Sequence, residues 1–216
     1  MEINITVPSN LKDITLRQYK KFIKIQKDID NTTLLQLKII EIFCNVQLKV
    51  AKAMRYTDVE EIAGSILKLF GDQPKLITTF ELNNVEFGFI PNLDDMTLGE
   101  YIDLDQYSGD YDHIEIAMNV LYRPVKAKYK NKYIIIDYDP ETKDRILDMP
   151  MDAVISSMFF FLNLRIELAN TILNSSEGRD LIQQANLVNF KQNMDGISRF
   201  LPYLKETLNE LNISLN

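Results

Sequence analysis

The chain has one cysteine, Cys44, one histidine, His113, and no tryptophan. A single cysteine excludes an intramolecular disulfide, and the expected role of Cys44 is a small buried hydrophobe on a helix. One histidine cannot supply the converging ligands of a zinc centre, so His113, beside Asp110, Asp112 and Glu115, reads as plain surface. A Cys–His nucleophilic pair has no local support. Glycine is scarce, at seven of 216 residues, which leaves little material for phosphate-cradling loops. No G-x-x-x-x-G-K-(S/T), G-x-G-x-x-G or G-x-S-x-G run occurs. No apolar run reaches the ~20 residues that span a bilayer. The longest, Ala153 to Leu164, is bounded by Asp152, Arg165 and Glu167 and reads as a buried core helix. The start MEINITVPSN has neither a basic nor an apolar leader region, so no signal peptide is expected.

Positive charge is missing from one long stretch. No Lys or Arg occurs between Leu76 and Tyr122, where ten acids stand: Glu81, Glu86, Asp94, Asp95, Glu100, Asp103, Asp105, Asp110, Asp112 and Glu115. The whole chain is −7, so the remainder is net positive. An acidic central module repels phosphate backbones, and nucleic acid is disfavoured as a direct partner. A solvated acidic face is one reading, and docking to a basic protein surface is the other.

What is present begins with a phrase written twice. Pro8-Ser9-Asn10-Leu11-Lys12-Asp13-Ile14-Thr15-Leu16-Arg17-Gln18-Tyr19 returns as Pro91-Asn92-Leu93-Asp94-Asp95-Met96-Thr97-Leu98-Gly99-Glu100-Tyr101. Thr15 with Gln18 and Thr97 with Glu100 make capping boxes, in which the hydroxyl accepts from the N3 amide and the N3 side chain from the N-cap amide. Ile14 and Met96 stand where a hydrophobic staple needs them. Each phrase follows an expected strand, Ile3 to Val7 or Val85 to Ile90. Thr57 with Glu60 reads as a third box.

Periodicity fills in the rest. Helices are expected from Thr15 to about Ile29, from Asn31 or Thr32 through Phe43, and from Thr57 to Leu69, the last ended by Gly71 at C′. A hairpin follows over about 75–90, turning at Asn83-Asn84, which tolerate φ > 0. The helix from Thr97 should end near Asp105. Asp112 should cap another, closed by Arg123-Pro124. A second hairpin over about 125–138 turns at Asn131. In it Lys126, Lys128 and Lys130 form a cationic face, while Val125, Ala127 and Tyr129 pack inward. Those lysines guard a strand edge or meet the acidic face. Pro150 suits the first turn of a long helix from Met151 to about Leu173. Glu177-Gly178 is a break. Beyond it Phe190, Met194, Ile197, Leu201, Leu204, Leu208 and Leu211 make a heptad seam, interrupted by Gly196 and by Pro202.

The fold class is therefore α+β and mostly helical. It has a short N-terminal strand, two β-hairpins packed by helices and a C-terminal helical region. The organisation is 1–72, a strand plus helical cluster; 73–148, an acidic α+β module with both hairpins; and 149–216, C-terminal helices; the three form one compact unit.

Catalytic constellations are weak. The run Asp103 to Asp112 superficially suggests a calcium loop, but position 6 is Ser108 rather than glycine and position 12 is Ile114 rather than Glu. Asp94 and Asp95 could serve acid–base hydrolysis, yet a helix N-terminus favours acids without any catalysis. No catalytic residue, cofactor or metal is expected. The surfaces expected to bind partners are Asp94, Asp95, Asp103 and Asp105 in the acidic module and Leu201, Leu204, Leu208 and Leu211 on the seam.

Phe89 to Asp105, with FIPNLDDMTLGEYIDLD, resembles a phrase of small proteins in the structural gene modules of tailed phages. Ala117 to Pro124 and Asp148 to Asp152 continue the resemblance in the same order, over roughly the middle third. The Lys-, Ile- and Asn-rich usage suits an AT-rich genome, as in phages of Bacteroidetes and the crAss-like group. The resemblance implies a non-enzymatic virion protein made in the host cytoplasm. It would be associated with the portal–tail region or packaged there as ejected cargo. Its partners would be other phage structural proteins, with self-association in a ring or stack and no membrane span. A cytoplasmic tail-assembly chaperone is the first alternative. A small hydrolase using acids of the 94–112 segment is the second.

Overall fold

In the computed structural model the chain is α+β and mostly helical, with a four-stranded antiparallel sheet. Residues 5–130 and 132–174 are described. They fall into two compact units, residues 5–72 with 147–152, and residues 73–146 with 153–174. The break at Glu177-Gly178, the heptad seam, Gly196, Pro202 and the expected binding residues Leu201, Leu204, Leu208 and Leu211 lie outside the described residues.

Among the described residues four α-helices build the first unit: α1 (Leu16–Gln26), α2 (Thr32–Phe43), α3 (Leu48–Ala51) and α4 (Tyr56–Leu69). Asn31 caps α2, its side chain accepting the Leu34 amide at 2.9 Å. Asn45 follows the α2 cap at φ 52°, a left-handed C′ position that asparagine tolerates. The core is a run of tilted rings, Phe22–Phe43, Phe43–Phe70 and Phe70–Tyr19, with centroids 5.4–5.7 Å apart. Such pairs add roughly 0.5–1.5 kcal/mol each beyond burial. Ile39, Ile40 and Ile66 are fully buried in the same unit.

Two expectations fail here. The described part of the N-terminal strand, Ile5 to Val7, is irregular. A strand needs a neighbour's backbone, and the described pairing in this unit is a lone bridge, Thr15 with Pro150. The Thr57–Glu60 box does not form, because α4 starts earlier, at Tyr56. The turn bonds Ala53 N to Val50 O and Met54 N to Ala51 O lead straight into it. The Arg55 carbonyl then accepts the Val59 amide at 3.1 Å. A box at Thr57 would give up that bond, so Thr57 Oγ1 sits 3.4 Å from Asp58 Oδ1 instead. Gly71 does stand at C′, but no glycine has positive φ among the described residues, and α4 ends in turn bonds such as Gly71 N to Lys68 O.

The second unit is built on the sheet. β1 (Thr79–Leu82) and β2 (Val85–Phe89) form the first hairpin, with Asn83 at φ 52° and Asn84 at φ 61°, as a type I′ turn requires. Helices α5 (Leu98–Tyr107) and α6 (Ile114–Leu121) intervene before β3 (Tyr122–Tyr129) and β4 (Lys132–Ile135). The strand order is β1-β2-β3-β4. Phe80 and Phe87 face each other across the first hairpin with stacked rings 5.6 Å apart. Phe89 packs edge-on against Tyr122 and Phe160. Tyr122, fully buried, donates its hydroxyl to the Ile77 carbonyl at 2.7 Å. Helix α7 (Met151–Asn174) closes the described chain, with Pro150 just before its first turn.

Here too some expectations give way. Asp112 does not cap α6; the N-cap is His113, without a side-chain cap bond. α6 does end just ahead of Arg123-Pro124, at Leu121 with Tyr122 as its C-cap, and that pair lies inside β3. Ile90 N bonds Leu121 O at 2.8 Å, so the register leaves the Pro124–Phe87 pair without hydrogen bonds to β2. On its other side Pro124 O accepts from Ile136 N at 3.0 Å, and the register irregularity between Val125 and Ala127 follows directly, a setting in which a strand tolerates a proline. Ala127 and Tyr129 do not pack inward; both are exposed. β2 stops pairing with β3 at Phe87–Pro124, so the far end of the second hairpin runs past its cover. Lys128 there meets Glu86 of the acidic stretch at 2.5 Å.

Candidate functional site

The repeated phrase builds the same local fold twice. Asn10 opens a one-turn 3₁₀ helix, Leu11–Asp13, and Asn92 opens another, Leu93–Asp95. Asp13 Oδ2 accepts the Ser9 and Asn10 amides at 3.0 and 3.2 Å. Asn92 caps the Asp94 amide at 3.2 Å and donates to Asp95 Oδ2 at 2.9 Å. One extended residue follows, Ile14 or Met96, and then the box. Thr15 N reaches Gln18 Oε1 at 2.9 Å, and Gln18 N reaches Thr15 Oγ1 at 3.2 Å. Thr97 N reaches Glu100 Oε2 at 2.6 Å, and Glu100 N reaches Thr97 Oγ1 at 3.3 Å.

The copies differ in what covers them. Leu16 and Tyr19 are 0% and 2% exposed; their counterparts Leu98 and Tyr101 are 74% and 57% exposed. The first copy is covered by an extended segment. Leu16 N bonds Met149 O at 3.0 Å and Met151 N bonds Ile14 O at 2.9 Å, an antiparallel bridge centred on Thr15 and Pro150. Asp148 then meets Arg17 in a two-point ion pair at 2.6 and 3.0 Å. The hydrogen bond from Arg17 holds the Asp148 carboxyl below its usual range, against some burial. In the second copy Gly99 replaces Arg17, and Leu98, Tyr101 and Ile102 leave an apolar stripe open on α5.

Beside that stripe lies a cleft of about 530 Å³ between the second phrase and the outer strand β4. Its lining includes Pro91, Asp95 and Thr97 on one side and the run Tyr133 to Tyr138 on the other. Arg123 and Glu100 also line it and pair at 2.7 Å, both buried. Arg123 Nε is buried and has no hydrogen-bond partner among the described residues. Tyr133 donates to the Phe89 carbonyl at 2.7 Å, and Tyr138 donates to Asp103 Oδ2 at 2.6 Å. Burial and then Glu86 raise the Tyr133 phenol. Burial and then the Asp103 hydrogen bond raise that of Tyr138. Both rings therefore stay protonated near neutral pH and serve as donors rather than bases.

The acids expected to bind partners are thus placed individually. Asp94 and Asp95 are exposed on the 3₁₀ turn, with Asp95 at the cleft rim. Asp103 is half-buried against Tyr138, and Asp105 is half-buried on α5. Asp110 instead turns to His113 Nδ1 at 2.7 Å. Asp103 to Tyr107 is helical, which a calcium loop is not. Among the described residues no cluster of three or more His, Cys, Asp or Glu side chains forms a metal site. Cys44 is buried, and burial pushes its thiol up to about 11.

Arg123, Tyr133 and Tyr138 were not singled out from the sequence. Arg123 carries one legible signal: it is the first base after the stretch without bases. The described helices contain no segment long and apolar enough to cross a membrane. No protein-family model, no curated protein and no solved structure matches the chain.

Proposed function

We propose that this chain is a non-enzymatic component of a tailed-phage virion that works by binding other structural proteins, at the portal–tail region or as cargo packaged there and ejected. The observation that carries the binding reading is the unequal cover on the repeated phrase. The first copy is sealed by an extended segment, and the second offers the same backbone and an open apolar stripe beside a cleft. Exposed apolar stripes rimmed by polar residues are the usual form of a protein-binding surface. The acidic rim suits a basic partner. The virion placement rests on the resemblance of residues 89–105, 117–124 and 148–152 to phage structural-module proteins.

Mass spectrometry of purified particles tests the placement. The chain should be found in gradient-purified virions in a fixed ratio to the major structural proteins. If it is abundant in infected-cell lysate and missing from finished particles, the chaperone reading replaces this one.

A further inference from the structure

We propose that the cleft in the second unit takes an extended, basic segment of a partner protein, added along the outer edge of β4 as a further strand. The inference rests on the binding reading above and names the chemistry of the partner.

The edge follows from the register. Antiparallel pairing turns the backbone groups of alternate residues toward the neighbouring strand and those between them away from it. Ile136 N donates to Pro124 O at 3.0 Å, and Ile134 and Lys132 share its parity. The N–H and C=O groups of Tyr133 and Ile135 therefore point away from β3. The order β1-β2-β3-β4 puts β4 at the margin of the sheet, and among the described residues no strand pairs with its outer side. Tyr133 and Ile135 both line the cleft. Such an edge binds through main-chain hydrogen bonds, which an extended peptide supplies and a compact small molecule does not.

The cleft selects the charge. Asp95 and Asp137 line it and are exposed. Of the described residues in the lining, Arg123 is the one base, and Glu100 already holds it at 2.7 Å. Lys126, Lys128, Lys130 and Lys132 all stay outside the lining. The two exposed acids thus favour lysine or arginine side chains on the occupant, and they repel acidic segments and nucleic acid. Arg123 Nε makes a second demand. Arg123 is 8% exposed, and its Nε has no hydrogen-bond partner among the described residues. Its charge is met by Glu100, so what it lacks is a neutral acceptor, and a peptide carbonyl is one. Ile90, Pro91 and Ile136 add apolar wall for the residues between the bases. A strand with alternating basic and apolar side chains meets all these demands at once, and a cleft of about 530 Å³ has the size of an ordinary ligand site.

Synthetic hexapeptides test this on the full-length chain. In one set lysine alternates with each other residue type, and in the matched set glutamate replaces lysine. Each peptide is blocked at both ends and carries a fluorophore for anisotropy. At least one lysine peptide should bind saturably, and at least about tenfold tighter than its glutamate counterpart. Methylating one alternate set of its backbone amides should weaken it about tenfold, and methylating the other set should not. Asp95→Asn with Asp137→Asn should weaken it several-fold and flatten its salt dependence. In nuclear magnetic resonance the Arg123 Nε–H signal should move on binding. No saturable binding by any lysine peptide, equal binding of the two sets, indifference to either methylation, or an unmoved Arg123 signal would each overturn the proposal. So would an edge already occupied by a second copy, seen as peptide binding that falls as the chain dimerises. Recovery of the chain from virions bears on none of these results, so the two readings fail separately.

Discussion

Glu100 holds two structures together at once. One carboxylate oxygen receives the Thr97 amide, and the other receives the buried Arg123 guanidinium. Gln18, its counterpart in the first phrase, is a neutral cap that reaches instead to the Ile42 carbonyl at 2.9 Å. Glu100→Gln should keep a cap yet strand a buried cation, a loss of ~3–5 kcal/mol in urea unfolding. Thr15→Ala should cost only ~1 kcal/mol. A loss for Glu100→Gln as small as that of Thr15→Ala would mean that the ion pair is dispensable. Asp148 gives a pH signature. Its pKa is lowered in the folded chain, so its contribution is present above the usual carboxylate range and fades as pH falls through the lowered value. The melting-temperature gap between the parent chain and Asp148→Asn should accordingly be widest near neutral pH and close on acidification. Cys44, with its thiol pushed up to about 11, should react with a thiol reagent at pH 8 only after denaturant is added.

At the scale of elements, the sheet depends on a glycine and a turn. The Tyr133 ring lies over Gly88, where an added Cβ would meet ring carbons at 2.5 and 2.9 Å. Gly88→Ala should displace that ring from its bonds to the Phe89 and Thr78 carbonyls, cost ~1–3 kcal/mol, and bring the Tyr133 phenol back toward its ordinary pKa in ultraviolet titration. In the turn, Asn84→Ala should cost ~1–2 kcal/mol because φ is positive, whereas Asn84→Gly should not. Elements governed by local chemistry were legible in sequence: both true boxes, the Asn31 cap, the Asn83-Asn84 turn and the Pro150 entry. The 3₁₀ turns at Asn10 and Asn92 were within the repeated phrase but unread. Thr57–Glu60 had the right spelling and failed, because the turn after α3 had already set where α4 begins.

For the whole molecule, charge separates fold from binding. Asp94→Asn with Asp95→Asn alters exposed groups and should move stability by no more than ~0.5 kcal/mol. The same pair should weaken capture of a basic partner, and most clearly at low salt, where the acidic stretch is least screened. Unchanged capture would remove the acidic rim from the binding surface. The α+β class, the two hairpins and the uneven charge followed from the sequence alone, because periodicity, turn residues and composition act within a few neighbours. Tertiary structure alone decided that one copy of a twice-written phrase is sealed and the other open. Cover is a long-range property: Met149-Pro150-Met151 arrives at Thr15 from far along the chain, and no spacing near Thr15 or Thr97 encodes its arrival. Tertiary structure likewise brought Arg123 to Glu100 and Tyr133 over Gly88, since burial depends on which strands become neighbours.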